Sequence, residues 1–382
     1  MHILFITSWY PSGKNPVSGV FVKELAKAAS LYDDIIVLHA LADKIKGIYE
    51  ISDNREDDIR VVRVKYKTSG TSFVSYLLYM ISIFIAFIRI RKEYPDLIHA
   101  HVYFPAGIMA IILGKIFKLP VIIEEHAEIV DKYKQCNVWK KLKDFVRVKL
   151  AKFTLNKAQL LVIVSKSLQE HIESFGIKNR CKIVPNVVNM RFFSQTPKNK
   201  DGKKRIIFIG ILTPRKGIPY LLDAIKIVIS KRKDFFLDIV GNGPFMGDYK
   251  RMVEELDITE VVKFHGKITD VEKLKLLQTS DFMVLPSLYE SFGVVLIEAM
   301  ACGKPVITTL SGGQKEFVNK DNGILVPPKD PEALAEAIDY MLDHYSDYSQ
   351  EKISRYVLER FSPKVVGRQL HEAYLEVIKG GV

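Results

Sequence analysis

The chain has 382 residues, of which 48% are hydrophobic and 26% charged, so it can form two compact domains and lacks the composition of a disordered protein. Its formal net charge of +12 favours anionic partners such as phosphorylated small molecules or acidic lipids. Zinc-ligand clusters, arginine-rich tails and RNA-binding signatures are missing, so we do not expect nucleic acid as a partner. The three cysteines are too few and too scattered for a disulfide framework, which indicates a reducing compartment; they are Cys136, Cys181 and Cys302.

The amino-terminal half of the chain alternates strand-length apolar runs with helical patterns. It begins with Met1–Thr7, which lacks the basic region of a signal peptide and is predicted to form a buried strand. The predicted strands are His2–Thr7, Ile35–His39, Ile59–Val64, Leu97–His101, Val121–Glu125, Leu160–Val164 and Lys182–Val184. The predicted helices are Val20–Ser30, Ser75–Glu93, Ala106–Phe117 and Trp139–Lys157. This alternation predicts a parallel sheet with helices on both faces.

Two of these segments have features of lipid contact. Phe73–Ile90 is nearly long enough to cross a bilayer, which needs about 20 apolar residues, but serines and tyrosines dilute it. It is therefore expected to be either a buried helix of the first domain or a helix that touches lipid. Lys132–Lys157 combines many lysines with a tryptophan and apolar residues at helical spacing. That pattern fits an anionic membrane surface, and it equally fits a solvated helix that covers the sheet.

A charged, turn-rich segment, Pro197–Lys204, predicts a linker, and beyond it the alternation resumes. The predicted strands are Arg205–Ile209, Phe235–Val240, Val261–His265, Phe282–Leu285, Pro305–Thr308 and Gly323–Val326, and the predicted helices are Ile218–Lys231, Met246–Leu256, Val271–Thr279, Val294–Ala301, Pro331–Tyr345 and Pro363–Ile378. We therefore predict an α/β fold of two doubly wound domains, residues 1–195 and 203–362, facing each other across a cleft. The last helix, within residues 363–382, is expected to pack back on the first domain.

The most informative stretch of the second domain follows its predicted strand Phe282–Leu285. A loop presents Glu290, Gly293 begins a helix, and Glu298 lies in the second turn of that helix. The first N–H groups of a helix are free and its dipole is positive there, so this position suits a diphosphate. Because Glu298 lies among apolar residues, where an idle acid would be costly, we expect it to bind ribose hydroxyls, and Glu290 to bind hydroxyls of a sugar.

Glu290 and Glu298 fit the E-x7-E motif of a large family of retaining glycosyltransferases with the GT-B fold, which includes sucrose synthase and the bacterial phosphatidylinositol mannosyltransferases. The chain resembles that family over nearly its whole length. The other matching pieces are Pro16–Gly19, Val164–Ser167, Val184–Asn186, Ile209–Gly217, Val240–Pro244, Phe264–Gly266, Gly312–Glu316 and Asn322–Pro328. One piece alone would be weak evidence, but their order together is specific. The resemblance implies two Rossmann-like domains, the first binding the acceptor and the second the nucleotide-sugar.

The resemblance also implies roles in catalysis. Lys216 would neutralise the donor diphosphate, and Glu290 would hold the transferred sugar. His126, at the end of a predicted strand, would lie beside that sugar, where an imidazole can bond a hydroxyl or steady developing positive charge through its neighbours. The family usually has an arginine at the position of Ile211, and Arg215 could substitute for it only in part.

The remaining donor contacts implied by the resemblance lie in both domains. Gly19 would approach the donor phosphate from the opposite side of the cleft, although Ser18 replaces a glycine that the family often has there. The other predicted donor-binding positions all belong to the second domain and follow predicted strands; they are Gly241, Asn242, Gly266, Lys267, Phe292, Gly293, Val294 and Glu298. The Gly241 turn is not a dinucleotide fingerprint, because the G-x-G-x-x-G spacing fails.

The predicted activity is transfer of a sugar, with retention of configuration, from a UDP- or GDP-sugar to a lipid-linked or polysaccharide acceptor of the cell surface. We expect no metal and no cofactor, since lysine and backbone amides can stabilise the leaving diphosphate and no D-x-D motif follows a strand. The expected location is cytoplasmic, peripheral at the inner face of an anionic membrane. The alternatives are a nucleotide-sugar-binding scaffold that has lost activity, and a nucleotide-sugar epimerase.

Overall fold

The protein is known from a computed structural model, which describes residues 1–13, 15–67, 72–93, 95–129, 138–193 and 202–380. Most of the predicted linker Pro197–Lys204, Cys136 and the first part of the basic segment Lys132–Lys157 lie outside these residues. The chain packs into two units. Unit 1 consists of Met1–Val187 and Pro363–Val382, and unit 2 of Val188–Ser362.

Unit 1 is built around one eight-stranded sheet. Its elements are β1 (His2–Thr7), α1 (Val20–Ala29), β2 (Asp34–Asp43), β3 (Tyr49–Glu56), β4 (Ile59–Lys67), α2 (Ser72–Ile90), β5 (Leu97–His101), α3 (Ile108–Phe117), β6 (Val121–Glu125), α4 (Val138–Leu155), β7 (Leu160–Ile163), α5 (Lys166–Ser174) and β8 (Cys181–Ile183). The strand order is β3-β4-β2-β1-β5-β6-β7-β8. Every neighbouring pair is parallel except β3 with β4.

The predicted parallel sheet is present, but the prediction missed the edge strand β3, which pairs antiparallel with β4. The sequence of β3 is YEISDNRE, and most of its side chains are exposed or half-buried. Charged residues are common on edge strands, where they discourage pairing with other chains. Such a strand forms through backbone pairing with β4 and shows no apolar run that would reveal it. The short helix α5 was missed for a similar reason, since only Leu168 and Ile172 of it are buried.

The core of unit 1 includes the carboxy-terminal helix Pro363–Lys379. Tyr374 of this helix is fully buried among Phe5, Leu25 and other apolar residues of the sheet and of α1. The helix approaches α1 closely at Gly367, where an added Cβ would lie 2.0 Å from the carbonyl oxygen of Ala28. Only glycine permits such a backbone approach.

Unit 2 is a six-stranded, wholly parallel sheet. Its elements are β9 (Lys204–Ile209), α6 (Ile218–Ile229), β10 (Phe235–Val240), α7 (Met246–Glu255), β11 (Val262–Gly266), α8 (Asp270–Thr279), β12 (Phe282–Leu285), α9 (Val294–Ala301), β13 (Val306–Thr309), β14 (Gly323–Val326), α10 (Pro331–His344) and α11 (Gln350–Phe361). The strand order β11-β10-β9-β12-β13-β14 reverses direction between β9 and β12. Ligands of doubly wound sheets bind outside the strand ends at such a reversal.

The boundary between the units lies nearer the amino terminus than the predicted end of the first domain at residue 195. Unit 2 already begins at Val188 and extends to Ser362. The N–H of Val188 donates to the carbonyl of Phe361 at 2.9 Å, and the Nζ atom of Lys273 lies 5.0 Å from the ring centre of Phe192. These contacts join residues far apart in sequence, so local pattern could not reveal them.

Helix α2 corresponds to the predicted apolar segment Phe73–Ile90. One face of α2 is buried, through Ile83, Ala86, Phe87 and Ile90. The opposite face exposes apolar side chains at intervals of three or four residues: Val74, Leu77, Ile81, Phe84 and Ile88. Among the described residues, no helix has the length and apolar character needed to cross a membrane.

Candidate functional site

The loop after β12 leads into the helix α9, as the sequence predicted. Gly293 caps the amino end of α9 in the left-handed conformation, with φ at 96°. Glycine adopts this conformation without the strain that a Cβ would cause. Val294 is the first residue of the helix, and the N–H of Leu296 donates to the carbonyl of Gly293 at 2.9 Å, which leaves the N–H groups of Val294 and Val295 without a carbonyl of the helix to bond. A helix end of this kind, here at the carboxyl edge of the sheet, suits an anion.

Glu290 lies in this loop and is paired with Lys216. The ammonium of Lys216 contacts the Oε1 atom of Glu290, and the hydroxyl of Ser287 donates to the same oxygen at 2.8 Å. Glu290 is 8% exposed. Burial raises the pKa of Glu290, but the charges of Lys216 and Arg215 and the hydrogen bonds outweigh burial, so its pKa lies below the ordinary value. Glu290 is therefore a carboxylate and Lys216 the cation beside it.

The backbone of the Glu290 loop is held against the chain that follows β13. The N–H of Gly313 donates to the carbonyl of Glu290 at 2.8 Å. A Cβ on Gly312 would lie 2.0 Å from that carbonyl oxygen. On the other side, the N–H of Leu288 donates to the carbonyl of Arg215 at 2.7 Å. Lys216 and Glu290 are thus fixed by backbone contacts as well as by their own ion pair.

Glu298 forms a second buried ion pair that the sequence did not predict. Its two carboxylate oxygens accept hydrogen bonds from Lys273 of α8 at 2.9 and 3.0 Å. Burial raises the pKa of Glu298, and Lys273 offsets this only in part. Lys273 has no distinguishing local pattern, since it is one of two lysines on a polar helix. Glu298 is therefore buried and forms an ion pair with Lys273.

The predicted glycine turns lie at the ends of β10 and β11. Gly241 has φ at 135°, and a Cβ there would lie 1.8 Å from the carbonyl oxygen of Gly210. The carbonyl of Asn242 accepts from the N–H of Leu212 at 3.1 Å, so this turn packs against the loop after β9. Gly266 also has positive φ, at 66°, but it faces open space, and Lys267 is exposed. These turns line the same edge of the sheet as Lys216.

Phe292, a predicted donor-binding residue, and Ile211, the departure from the resembled family, differ from the other positions. The side chain of Phe292 is only 5% exposed and packs against Phe317 and Phe361, with ring centres 5.2 and 5.6 Å away. Its side chain therefore belongs to the core, which leaves its backbone for any ligand contact. Ile211, where the resembled family usually has arginine, is 64% exposed.

Gly19 and His126 belong to unit 1. Gly19 caps α1 with φ at 66°, and a Cβ there would lie 2.2 Å from the backbone of Trp9. His126 directly follows β6, and its ring lies 4.5 Å from that of Phe21, measured between ring centres. Phe21 was not predicted as a site residue, although its position two residues after Gly19 could have indicated it. Burial lowers the pKa of His126, although Glu124 acts in the opposite direction, so the imidazole is neutral.

Comparison with known proteins covers both units. Residues 189–359 match the family described as "Glycosyl transferases group 1", and residues 20–192 match "Glycosyltransferase Family 4". An uncharacterized glycosyltransferase of Methanocaldococcus jannaschii is 30% identical over 231 residues, which span 56% of this chain and 59% of that protein. TuaC of Bacillus subtilis, named as a teichuronic acid biosynthesis glycosyltransferase, is 28% identical over 100% of both chains.

Solved structures share the architecture. A sucrose-phosphate synthase from Thermosynechococcus elongatus has a TM-score of 0.79 at 23% identity, covering 100% of both chains. Anabaena HepE, solved in complex with UDP-glucose, has a TM-score of 0.73 at 21% identity, covering 98% of this chain and 99% of that one. Together with two matches that span residues 20–359, they confirm the predicted fold of two Rossmann-like α/β domains. Residues 189–359 therefore belong to the glycosyl transferases group 1 family, residues 20–192 match Glycosyltransferase Family 4, and the chain has the GT-B fold.

Proposed function

We propose that this glycosyltransferase transfers a sugar, with retention of configuration and without a metal ion, from a UDP- or GDP-sugar to a lipid-linked or polysaccharide acceptor. The observation that carries the donor site is the pair of buried carboxylates, Glu290 and Glu298, on either side of the left-handed Gly293. A helix start between two hydroxyl-binding acids suits a ligand that has a diphosphate between two polyols. The UDP-glucose complex of HepE supports a nucleotide-sugar as that ligand.

In this proposal the diphosphate binds the N–H groups of Val294 and Val295 at the start of α9 and the ammonium of Lys216. An ammonium has three protons, so Lys216 can keep its contact with Glu290 while it binds phosphate oxygens. These fixed positive groups stabilise the negative charge that develops when the glycosidic bond breaks, which is the task that a metal performs in other enzymes. Glu298 holds the ribose hydroxyls, and Glu290 holds hydroxyls of the sugar.

The proposed acceptor is supported by the surface of α4 in unit 1. Leu142, Phe145, Val146 and Phe153 are each about half exposed. Lysines lie over the two phenylalanine rings. The Nζ atom of Lys149 is 4.7 Å from the ring centre of Phe145, and the Nζ atom of Lys157 is 5.1 Å from the ring centre of Phe153. Apolar rings surrounded by cations fit the headgroup region of an anionic leaflet, where a lipid-linked acceptor would be found.

The donor site is tested by isothermal titration calorimetry with UDP, GDP and ADP in the presence of a chelator. We expect one nucleotide to bind with micromolar affinity and the variant Glu298→Ala to lose that binding. Glu336→Ala, which changes an exposed acid of α10, is the control and should bind as the wild type does. If no nucleotide binds, an inactive scaffold becomes the better interpretation; if binding requires Mg²⁺, the metal-free mechanism is wrong.

The membrane proposal is tested by sedimentation with vesicles of phosphatidylglycerol and of phosphatidylcholine. Binding is expected only to the anionic vesicles, and it should weaken as salt screens the charges. The double variant Leu142→Glu/Phe145→Glu should lose it. Leu310→Glu/Leu358→Glu makes the same change of charge at exposed residues of unit 2 and should retain it. Equal loss in both variants would point to net charge alone and would contradict a specific role for α4.

A further inference from the structure

Two neighbouring helices of unit 1 present apolar side chains away from the sheet. Helices α2 and α3 connect parallel strands in the same direction across the sheet, from β4 to β5 and from β5 to β6, so right-handed connections place both on one face. The rings of Phe87 and Phe117 join them, with centres 4.8 Å apart. The exposed apolar side chains of the pair, called here the α2–α3 surface, are Val74, Tyr76, Leu77, Ile81, Phe84, Ile88, Ile112 and Ile116.

The inner face of α2 is fixed in the core of unit 1. Tyr79, Ile83 and Phe87 are each at most 2% exposed, so α2 cannot rotate to bury its outer side chains without exposing these. Contiguous exposed apolar side chains on a folded protein mark contacts with a membrane or with another protein. The outer face of α2 is therefore available to a partner.

The charges of these two helices indicate which partner fits. Residues 74–92 and 108–118 contain five cations and no Asp or Glu. Both helices lead from the carboxyl edge of the sheet to its amino edge, and the cations lie at or just beyond the carboxy-terminal end of each; they are Arg89, Arg91, Lys92, Lys115 and Lys118, all exposed. Apolar side chains bordered by cations fit acyl chains beneath anionic headgroups. A second copy of this chain would present the same surface, which supplies no carboxylate to these cations.

The α2–α3 surface is continuous with α4, the helix already proposed to contact an anionic leaflet. The segment Tyr103–Gly107 lies between them. Its Phe104 meets Tyr76 of α2, with ring centres 4.6 Å apart, and α4 packs against the same segment. Since α4 also leads from one parallel strand to the next in the same direction, it covers the same face of the sheet. One bilayer can therefore contact all three helices.

We propose that the α2–α3 surface inserts into the acyl-chain region of an anionic bilayer, while the cations at the ends of both helices bind the headgroups. The proposal rests on the proposed function where it takes this bilayer to be the one that holds the acceptor. The α2–α3 surface supplies the apolar contact, and α4 adds electrostatic attraction. Stable attachment of a peripheral protein generally needs two such contributions, so the loss of either surface should release the protein from vesicles.

The test measures insertion by quenching of tryptophan fluorescence in the full chain. Trp9→Phe/Trp139→Phe removes both native tryptophans, and Phe84→Trp in this background places one indole in the middle of the outer face of α2. Leu358→Trp in the same background is the matched control, because Leu358 of unit 2 is 40% exposed and Phe84 is 38% exposed. The probe is phosphatidylglycerol vesicles brominated on the acyl chains. We expect a blue shift and strong quenching for Phe84→Trp and neither for Leu358→Trp.

A second measurement removes the apolar groups without adding charge. Ile81→Ser/Phe84→Ser should lower the affinity for phosphatidylglycerol vesicles at least 10-fold, because two large apolar side chains no longer leave water. Leu310→Ser/Leu358→Ser makes a comparable change at exposed residues of unit 2 and should bind as the wild type does. Unquenched fluorescence from Phe84→Trp protein that sediments with the vesicles, or an unchanged affinity of Ile81→Ser/Phe84→Ser, would overturn the proposal.

Two further outcomes are decisive. If analytical ultracentrifugation without lipid shows a dimer of the wild type that Ile81→Ser/Phe84→Ser loses, the surface belongs to a second copy and the proposal is wrong. The calorimetry of nucleotides separates this proposal from the proposed function, since it needs no membrane. Quenching in a protein that binds no nucleotide would leave the insertion standing and the donor proposal overturned. Nucleotide binding without quenching would give the reverse conclusion.

Discussion

The adjacent residues Glu124 and Glu125 of β6 have different surroundings. Glu124 lies 3.1 Å from Nε2 of His99, whereas Glu125 points to the other face of the sheet, as neighbouring strand residues do. Glu125 accepts the backbone N–H of Tyr103 and is 2% exposed. Burial is the largest influence and raises the pKa of Glu125 from 4.5 to about 8, although this hydrogen bond and that from the N–H of His126 act against it.

The raised pKa of Glu125 predicts how stability depends on pH. Between pH 4.5 and about pH 8, the folded state holds a proton that the unfolded state has released, so stability falls as pH rises through this range. Glu125→Gln keeps an acceptor and removes the titration. Urea unfolding should show the variant gaining on the wild type from pH 5 to pH 8, at roughly 1.4 kcal/mol for each unit of pKa shift. A constant difference across this range would contradict the assignment.

The pair of Lys216 and Glu290 predicts a coupled loss of stability and binding. Lys216→Ala leaves a buried carboxylate without its cation, so the pKa of Glu290 should rise and the free energy of unfolding should fall by about 3 kcal/mol. Binding of the nucleotide diphosphate should weaken in the same variant. Lys226→Ala removes an exposed lysine of α6 and serves as the control for urea unfolding and calorimetry. Unchanged nucleotide affinity in Lys216→Ala would exclude the proposed phosphate contact.

At the scale of elements, the ends of the parallel strands position the residues of the proposed donor site of unit 2. Glycines with positive φ follow β10 and β12 and end β11, which lets the chain turn at this edge without the strain of a Cβ. Their surroundings differ, however. Gly241 meets the backbone of Gly210, whereas Gly266 faces open space. Of these two glycines, only Gly241 allows two loops to touch through its lack of a side chain.

This difference makes Gly241→Ala and Gly266→Ala a matched pair. Gly266→Ala places an alanine in the left-handed region at φ 66°, which costs about 1–2 kcal/mol, whereas Gly241→Ala places one at φ 135°, a conformation found essentially only for glycine. Gly241→Ala also drives its methyl group into the Gly210 carbonyl, so we expect it to lose at least 3 kcal/mol in all, a loss near the upper end of single substitutions. Urea unfolding measures both values. Equal losses would mean that the loops after β9 and β10 separate freely.

At the scale of the whole molecule, the carboxy-terminal helix returns to unit 1 after the chain has built unit 2. Its contact with α1 depends on Gly367, so Gly367→Ala should destabilise unit 1 by about 1–3 kcal/mol. Both tryptophans, Trp9 and Trp139, lie in unit 1. Tryptophan fluorescence therefore reports the unfolding of unit 1, whereas circular dichroism reports both units.

Gly247→Ala in α7 is the corresponding variant of unit 2. Nothing lies within 4 Å of a Cβ added there, so the alanine causes no clash. It should raise stability by about 0.5–1 kcal/mol through helix propensity, with no change in the fluorescence transition. A fluorescence transition unaffected by Gly367→Ala would show that the last helix does not stabilise unit 1.

The sequence alone was sufficient for the features that depend on local pattern. Apolar runs and helical periodicity predicted most strands and helices, and the spacing of Glu290, Gly293 and Glu298 predicted an acid, a helix start and a second acid in the order observed. Each of these depends on residues only a few positions apart, where backbone geometry determines which side chains share a face. The edge strand β3 has no such pattern, so only its pairing with β4 revealed it.

Only the tertiary structure decided which charged and polar groups meet. Lys273 is 25 residues from its partner Glu298, Lys216 is 74 from Glu290, and His99 is 275 from Tyr374. No periodicity extends over such separations, and a lysine that will be buried beside an acid is locally indistinguishable from one on the surface. Folding removes these groups from water, and an unpaired buried charge is too costly to persist. The sequence thus determined the strands and the motif, and packing determined which side chains pair, such as Lys216 with Glu290 and Lys273 with Glu298.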